Sequence, residues 1–438
     1  MNYILKIDKR LGKVAIKRLN RTYTAKQLEI SQEKIKYKKI SKRKKTPIYN
    51  YKTNPRNLKN SLLPIPWTIW PYEAKILIIL VGIWSLLGIC ILGSSSWWVA
   101  SREMGNWAYY LKKQIIWTIP SISLFFLVLN TNIRNLLKFS RIIFYILFFL
   151  IFLTNITGIT VNGSSRWLVV GNLLLQPSEL IKPFLILEAS NLFAHWNLIK
   201  NQRKIISLIS FGLLILLILK QPNLSTASLT GILFWIMGLC GGVKLSSLFS
   251  FASLGVITGC ISILNNEYQK LRVISFINPW KDQQESGFQL VQSLLAIGSG
   301  GLFGQGFGLS IQKLQYLPFM YTDFIFAVFA EEFGLLGCTL FLGFLIVFSY
   351  ISLRISLKCR NNYTKLVAIG CGVLLTGQSL MHIAVATGSM PTTGLPLPFI
   401  SYGGNSLIAS FCIAGMLLRC SLESTGFIGM ISTRKTLN

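Results

Sequence analysis

Residues 142–159 read IIFYILFFLIFLTNITGI and decide the class of fold. No charged residue interrupts this run, and its apolar side chains fall on every face of a helix rather than on one stripe. A helix that is hydrophobic all round lies in a protein core or in lipid. The hydrocarbon core of a bilayer, about 30 Å thick, is crossed by roughly 20 apolar residues. We therefore predict a transmembrane helix over residues 141–160.

Similar apolar runs occur along most of the chain. Of its 438 residues, 52% are apolar and only 13% are charged, whereas a soluble domain carries about 25% charged residues. This composition excludes an intrinsically disordered chain and argues against a soluble enzyme of two or three domains. The sequence predicts an all-α polytopic membrane protein with about ten transmembrane helices. The other predicted spans are 75–94, 114–130, 178–195, 204–220, 225–243, 246–264, 322–350, 364–386 and 401–420.

The positive charge of the chain is concentrated at its N-terminus. The net charge is +30, and residues 1–60 hold nineteen Lys or Arg against three acidic residues. We interpret residues 1–64 as a basic cytoplasmic tail beside anionic membrane lipids, rather than as a nucleic-acid-binding arm. Residues 65–420 form the predicted membrane domain, and residues 421–438 form a short cytoplasmic C-terminal tail.

Lys and Arg also set the orientation of the predicted spans. Cytoplasmic loops of membrane proteins carry an excess of these residues. If the N-terminus is cytoplasmic, the remaining inside segments hold fourteen of them and the outside segments hold nine. Both termini are therefore predicted to be cytoplasmic, or stromal in an organelle. Residues 265–321 then form a large extracytoplasmic loop between the seventh and eighth helices.

Few polar residues remain that could carry chemistry. Of the fourteen acidic residues, five lie between positions 282 and 332, in or just after the large loop. Glu179 and Lys182 can pair on one helix face, which fits a structural role as well as a functional one. The eight cysteines form no CxxC pair, and residues 298–308, GSGGLFGQGFG, complete no nucleotide-binding motif. We expect these glycines to serve tight backbone turns, and we expect no organic cofactor.

Three long stretches contain motifs in a fixed order. Residues 162–187 read NGSSRWLVVGNLLLQPSELIKPFLIL, residues 277–337 begin INPWKDQQESGFQL, and residues 387–418 contain PLPFISYGGNS. Over roughly residues 65–420 the chain thereby resembles the FtsW/RodA/SpoVE family, also called the shape, elongation, division and sporulation family. INPWKD and TDFIFAV are closer to its division subgroup, FtsW, than to RodA.

The chain departs from the family pattern at several positions. Gln283 stands where Pro commonly follows the loop Asp, and Ser165 stands where Arg is common. Residues 221–227, QPNLSTA, lack both acids of the family's EPDFGTA, and residues 316–321 read YLPFMY instead of YLPE-x-H. These departures are similar to those of FtsW from photosynthetic bacteria and their plastid descendants, so we expect a cyanobacterial or plastid type.

The resemblance implies an enzyme that polymerises lipid II, a disaccharide-pentapeptide on undecaprenyl pyrophosphate, into glycan strands. It implies a class B penicillin-binding transpeptidase of FtsI type and other division proteins as partners. Two alternatives stay open. A lipid II flippase could use intramembrane charges such as Glu179 and Lys182, and a non-catalytic scaffold could recruit the transpeptidase.

Asp282 is the predicted catalytic residue. Forming a β-1,4 bond requires an acceptor hydroxyl, a poor nucleophile, to lose its proton to a positioned carboxylate. Asp282 falls at the position of the family's loop Asp, and Glu285 is its nearest rival. The leaving pyrophosphate needs cations, so Mg²⁺ or Mn²⁺ is expected, with Asp282 as a candidate ligand. The predicted substrate-binding residues are Arg166, Lys182, Glu179, Lys313, Asp323, Gln289 and Ser401.

Overall fold

The computed structural model describes residues 70–161, 164–171, 173–314 and 316–424. The predicted basic tail 1–64 and the C-terminal residues 425–438 lie outside the described residues. The helices and strands are α1 (Tyr72–Met104), α2 (Tyr109–Asn130), α3 (Ile133–Thr157), β1 (Ile159–Val161), β2 (Ser164–Val170), β3 (Leu173–Leu175), α4 (Pro177–Leu180), α5 (Lys182–Ala194), α6 (Asn201–Lys220), α7 (Leu224–Cys240), α8 (Leu245–Asn265), α9 (Glu267–Ile277), a 3₁₀ turn (Pro279–Asp282), α10 (Phe288–Ser299), α11 (Ile325–Lys358), α12 (Asn362–Ala386) and α13 (Gly404–Ser424).

Each of the ten predicted spans coincides with one helix or with one interrupted helix. In the described part of the chain, eight helices are long and apolar enough to cross a membrane. α7 is apolar but has 17 residues, and the predicted span 178–195 is divided into α4 and α5. The division falls at Ile181, two residues before Pro183, which has no N–H to continue the helical ladder. The all-α polytopic fold class is confirmed.

A small antiparallel sheet between α3 and α4 was not predicted. β1 pairs with β2, and β2 pairs with β3. Gly171 precedes β3 with a φ of +61°, a backbone conformation that favours glycine. Arg166 lies between two predicted spans, in a stretch expected to be a loop, and the structure places it on β2. The strands are too short and too close to the apolar spans for their periodicity to be separated from them.

The glycine-rich segment 300–306 lies against a break in α11. Gly334 adopts φ +64° and ψ −166° inside this helix and kinks it. The freed backbone groups pair with the glycine segment: Gln305 N–H donates to the Glu331 carbonyl (2.9 Å), and Leu335 N–H donates to the Gly301 carbonyl (2.9 Å). A Cβ on Gly304 would lie 2.2 Å from the Glu332 carbonyl oxygen. The predicted structural role of these glycines is confirmed, because only glycine permits such a close approach.

The centre of the bundle is formed by α12 and α13. In the most apolar part of each helix, 78% of α12 and 89% of α13 is buried, against 6% of α8. α12 packs against α5 and α11, and α13 packs against α2. The irregular segment 387–403 joins these two central helices; most of residues 395–401 is buried against them, whereas Thr387, Ser389 and Met390 at its start are exposed.

Candidate functional site

Four side chains hold the irregular segment 387–403: one from α7, two from α12 and one from the segment itself. Ser225 donates to the Thr393 carbonyl (3.0 Å), Gln378 Nε2 to the Pro396 carbonyl (2.7 Å), and His382 Nδ1–H to the Leu395 carbonyl (2.8 Å). The Ser401 hydroxyl donates to the Thr322 carbonyl (2.7 Å) and accepts from Leu397 N–H (2.8 Å). Irregular backbone in a membrane protein requires such partners. These bonds hold the irregular segment in place beside the charged residues described next.

Glu179 and Lys182 form a buried pair, as their spacing predicted. Lys182 Nζ lies 2.6 Å from Glu179 Oε1 and 3.0 Å from Gln378 Oε1, and both charged residues are 1% exposed. Gln378 in turn donates to the Pro396 carbonyl. The pair therefore links α4 and α5 to α12 and to the irregular segment, with the two charges balancing each other.

Arg166 and Asp323 both lie close to Gly394. A Cβ built on Gly394 would lie 3.3 Å from Asp323 Oδ2 and 3.5 Å from Arg166 Nη1. Arg166 is buried on β2, and its Nη2 donates to the Pro222 carbonyl (2.7 Å). Desolvation, with repulsion from Arg272, lowers the pKa of Arg166. Desolvation also raises the pKa of the half-buried Asp323, although Arg272 and Arg166 oppose that shift.

Arg272 completes this polar cluster and was missed as a site residue. It lies on α9, its Nη1 donates to the Thr392 carbonyl (3.1 Å), and its guanidinium lies 4.4 Å from the centre of the Tyr268 ring. The hydrogen bond joins residues 120 positions apart. In the sequence, Arg272 is a single Arg in a short amphipathic stretch of the large loop. Nothing in that stretch indicates that it contacts Thr392.

Asp282 ends the 3₁₀ turn that follows α9 and is partly exposed. Its Oδ2 accepts from the Ser286 hydroxyl (2.8 Å) and from Ser286 N–H (3.1 Å), while Oδ1 accepts from Glu285 N–H (3.3 Å). These bonds, with the Ser286 hydroxyl first, lower the pKa of Asp282, so its carboxylate is ionised at neutral pH. Gly287 N–H donates to the Asp282 carbonyl (2.9 Å), which fastens the turn to the start of α10.

Lys313 and Gln289 lie apart from these groups. Lys313 Nζ is 2.9 Å from Glu332 Oε1 and 3.0 Å from Ser94 Oγ, and Lys313 is 1% exposed. Gln289 is half-buried on α10, three residues after Ser286. Among the described residues, no hydrogen bond or ion pair joins Asp282 to Arg166, Lys182 or Lys313. The structure thus pairs Glu179 with Lys182. It brings Arg166 and Asp323 to the same glycine without an ion pair between them in the described chain, and no contact joins Asp282 to either group.

The arrangement defines a multi-pass membrane protein with an ionised carboxylate on an ordered loop and a cationic cluster over an irregular segment of the bundle. Residues 74–426 match the family model FTSW_RODA_SPOVE, described as cell cycle protein. The chain belongs to the FtsW/RodA/SpoVE family.

Relatives and solved structures agree with this membership. Two relatives have the provisional name peptidoglycan glycosyltransferase FtsW: that of Mesostigma viride is 46% identical over 81% of this chain and 86% of its own, and that of Synechocystis sp. is 44% identical over 81% and 91%. A chain from a study of "polymerization and crosslinking by a peptidoglycan synthase complex" aligns with a TM-score of 0.65 and 26% identity, covering 82% of this chain and 99% of its own. The rod shape determining protein RodA of Thermus thermophilus has a TM-score of 0.60 at 24% identity, covers 82% of this chain and 98% of its own, and shares the fold.

Proposed function

We propose that this chain is a peptidoglycan glycosyltransferase that polymerises lipid II into glycan strands during cell or plastid division. The observation that carries the proposal is Asp282, an ionised and accessible carboxylate held on the loop of a family whose relatives are named as peptidoglycan glycosyltransferases. A carboxylate in that state is ready to accept a proton.

The proposed reaction is a single displacement with inversion. The 4-hydroxyl oxygen of the acceptor sugar attacks the anomeric carbon of the donor, and its proton passes to the Asp282 carboxylate. The bond between the anomeric carbon and the phosphate oxygen breaks, and undecaprenyl pyrophosphate leaves with both bonding electrons. No enzyme nucleophile is needed, because one displacement completes the transfer. The Ser286 and Glu285 hydrogen bonds orient the Asp282 carboxylate throughout.

A divalent cation, Mg²⁺ or Mn²⁺, remains part of the proposal. Among the described residues, no group of three His, Cys, Asp or Glu side chains could hold a metal ion. Asp282 offers one hard oxygen ligand, which fits a Mg²⁺ ion that is held mainly by substrate phosphates and water. Such an ion would supply charge stabilisation for the departing pyrophosphate. Asp282 would hold that ion only in place of its role as the base, because an inverting displacement puts the base and the departing pyrophosphate on opposite faces of the anomeric carbon.

The other predicted residues divide by their exposure and by whether their polar groups have partners; Arg166 is buried, but its Nε–H has no partner among the described residues. We assign substrate contact to Arg166, Asp323 and Gln289. Glu179, Lys182, Lys313 and Ser401 are each at most 3% exposed and already have partners. In this proposal they support the site by fixing the irregular segment and the loop.

Relatives and a structural neighbour support the proposed partner and the proposed location of this chain. We propose that a class B penicillin-binding transpeptidase of FtsI type and other division proteins act with this chain, since a structural neighbour belongs to a complex that couples polymerization and crosslinking. Relatives from Mesostigma viride, Synechocystis and Cyanophora paradoxa support a cyanobacterial or plastid membrane. Both termini would then be cytoplasmic or stromal, with residues 1–64 beside the inner lipid surface.

The test is glycan polymerisation by the purified full chain, alone and with its transpeptidase, on labelled lipid II with Mg²⁺ or Mn²⁺. A ladder of glycan products is expected, and Asp282→Asn should reduce its rate by about 100-fold or more. Glu285→Gln is the matched control, because it removes the neighbouring carboxylate from the same turn. An active-site mutant of the transpeptidase should leave the ladder intact.

Two results would contradict the proposal. Near wild-type polymerisation by folded Asp282→Asn would overturn the assignment of the base. Absence of product from every well-folded sample would contradict the proposed polymerase activity. A lipid II translocation assay would then distinguish a flippase from a non-catalytic scaffold.

A further inference from the structure

The start of α1 and the end of α11 meet at a buried carboxylate. Glu73, in the first turn of α1, is 3% exposed. Its Oε1 lies 2.5 Å from Lys358 Nζ and 3.6 Å from Arg354 Nη2. Arg354 and Lys358 are four residues apart on α11, so they lie on one face of that helix. Glu73 therefore holds two cations at one place, although like charges repel.

This cluster of Glu73, Arg354 and Lys358 differs in charge from the other ion pairs of the described chain. Every other carboxylate with an ion pair there has one cation within 4.0 Å, whereas Glu73 has two. One carboxylate and two cations leave one positive charge. A charge without a partner is costly to remove from water, so this cluster favours an anion beside it.

Both cations are accessible, although the carboxylate that they share is not. The side chains of Arg354 and Lys358 are 45% and 49% exposed, against 4% for Glu73. The ammonium and the guanidinium together carry more N–H donors than one carboxylate oxygen can accept. Neither cation has a second acidic partner within 4.0 Å in the described chain. Most of their donors are therefore available to an external acceptor.

Glu73 also lowers the entropic cost of binding an anion at this place. Long basic side chains lose rotamer freedom when a ligand fixes them. Glu73 already places the two cations side by side, and such preorganisation favours affinity. Arg203, near the start of α6, provides the contrast, because it is exposed and has no ion pair within the described residues.

The neighbours of the two cations on α11 are those of a membrane interface. Tyr350 lies one turn before Arg354, and the centre of its exposed ring is 5.8 Å from the guanidinium carbon. Val347, nearly one turn further into the helix, is an exposed apolar residue. Aromatic rings are enriched at the level of lipid headgroups. From its end inward, this face of α11 thus presents cations, an aromatic ring and apolar side chains, which is the order of phosphate, glycerol and acyl chains in a phospholipid.

We propose that Arg354 and Lys358, held by Glu73, bind the phosphate of an anionic phospholipid at the end of the bundle that is predicted to be cytoplasmic or stromal. Guanidinium and ammonium groups both bind phosphate oxygens. The net negative charge of the lipid balances the positive charge that Glu73 leaves. A zwitterionic lipid brings its own ammonium and leaves the cluster unbalanced. The exposed apolar side chains favour a lipid over free phosphate, because they give acyl chains van der Waals contact.

The experiment measures lipid binding by the full chain. Protein in a non-ionic detergent is titrated with phosphatidylglycerol or with phosphatidylcholine of the same chain length, and bound lipid is counted by native mass spectrometry. Phosphatidylglycerol should bind at least about tenfold more tightly, and Arg354→Gln should remove about tenfold of that affinity, since a hydrogen bond between charged groups is lost. Arg354→Lys, which keeps the charge, should fall between Arg354→Gln and wild type. Inorganic phosphate at equal concentration should not displace the lipid.

Arg203→Gln is the matched control, because it removes an exposed arginine from the same predicted end of the bundle and should leave the lipid affinity unchanged. Arg354→Gln should fold, since Lys358 still lies 2.5 Å from Glu73. Lys358→Gln leaves Glu73 with Arg354 alone at 3.6 Å, so it is measured together with a thermal melt.

Four results would overturn the proposal. These are wild-type lipid affinity in folded Arg354→Gln, an equal loss in Arg203→Gln, equal affinity for phosphatidylcholine, and displacement by inorganic phosphate. Loss of association with the proposed transpeptidase in Arg354→Gln, with lipid binding unchanged, would assign the two cations to a protein contact instead. Arg354-dependent lipid binding by a chain that makes no glycan would refute the proposed function alone, because the lipid site and the reaction are measured separately.

Discussion

Asp282 and Asp323 show how one loop can hold two carboxylates in different states. Hydrogen bonds from Ser286 and Glu285 lower the pKa of Asp282, whereas desolvation raises the pKa of Asp323. Environments that separate two pKa values in this way often separate two roles. Asp282 suits proton acceptance, and Asp323 suits a position beside the guanidinium groups of Arg166 and Arg272.

Ser286 should determine the acidic limit of activity. Its hydroxyl is the largest cause of the lowered pKa of Asp282, so Ser286→Ala should raise that pKa toward its ordinary value. A general base works only when it is deprotonated, and activity rises as pH passes through its pKa. We therefore expect the acidic limb of the pH–rate profile for polymerisation to move to higher pH in Ser286→Ala.

Ser299→Ala is the matched control for this profile. Ser299 ends α10, and its hydroxyl donates to the Ala296 carbonyl instead of to a carboxylate. An acidic limb that stays in place or moves to lower pH in Ser286→Ala would show that Asp282 is not the group titrating there.

The contact between the glycine segment 300–306 and α11 explains two features of the sequence together. The kink at Gly334 frees backbone groups of α11, and the glycine segment supplies partners for them. Glu331 and Glu332 lie beside this kink and fasten the next part of the loop: Glu331 accepts from the N–H of Ile311 (2.9 Å), and Glu332 binds Lys313. The acidic residues near 332, which the sequence offered as functional candidates, thus order the loop.

Gly304→Ala should weaken this contact. Gly304 has a φ of +83°, and the new Cβ would lie 2.2 Å from the Glu332 carbonyl oxygen. Strained backbone of this kind costs about 1–3 kcal/mol. We expect a lower free energy of unfolding, measured by thermal or denaturant unfolding of the detergent-solubilised protein.

Gly343→Ala on α11 is the control for that substitution. Gly343 is exposed in the helix, and nothing lies within 4 Å of its Cβ position. Alanine there should be neutral or stabilising by up to about 1 kcal/mol, because it restricts the unfolded chain and favours helix. Equal stability of the two variants would mean that the glycine segment does not press against α11.

Hydropathy located a helix, whole or interrupted, at each of the ten predicted spans, and eight of these helices in the described chain are long enough to cross a bilayer. The run 142–159 and helix α3 illustrate this, since apolar length alone decides the outcome. Contacts between distant residues were not predictable in the same way. Arg272 meets Thr392 across 120 positions, and β2 forms only because its neighbours pair with it. The Glu179–Lys182 pair was predictable because Ile181, between α4 and α5, keeps helical backbone angles (φ −73°, ψ −23°) and so preserves the three-residue spacing.

The candidate site lies where the most buried helices meet the large loop. α12 and α13 flank the irregular segment, and Arg272 on α9 and Ser225 on α7 hold that segment from outside. A rigid centre therefore supports the cationic cluster, while Asp282 lies on the accessible loop. This division agrees with a polymerase that receives lipid-linked substrates from the membrane and performs its chemistry at one surface.

That surface should be extracytoplasmic, and the orientation can be measured with single cysteines. Gln284 is exposed beside Asp282, and Asn362 is exposed at the start of α12. The 34-residue helix α11 separates the two positions, so they should lie on opposite sides of the membrane. In a background lacking the eight native cysteines, an impermeant maleimide added to intact cells should label Gln284→Cys. Asn362→Cys should be labelled only after permeabilisation, because the Lys- and Arg-rich loop around it is predicted to be cytoplasmic.

The control is the cysteine-free chain, which should remain unlabelled under both conditions. Labelling of Asn362→Cys but not of Gln284→Cys in intact cells would reverse the orientation. The Asp282 turn and the nearby residues Arg166 and Arg272 would then face the cytoplasm, and polymerisation at the outer surface would lose its support. Labelling of both positions from one side would instead contradict the passage of α11 through the membrane. Only opposite sidedness, with Gln284 outside, is compatible with the proposed function, because Asp282 must reach the sugar-bearing end of the lipid.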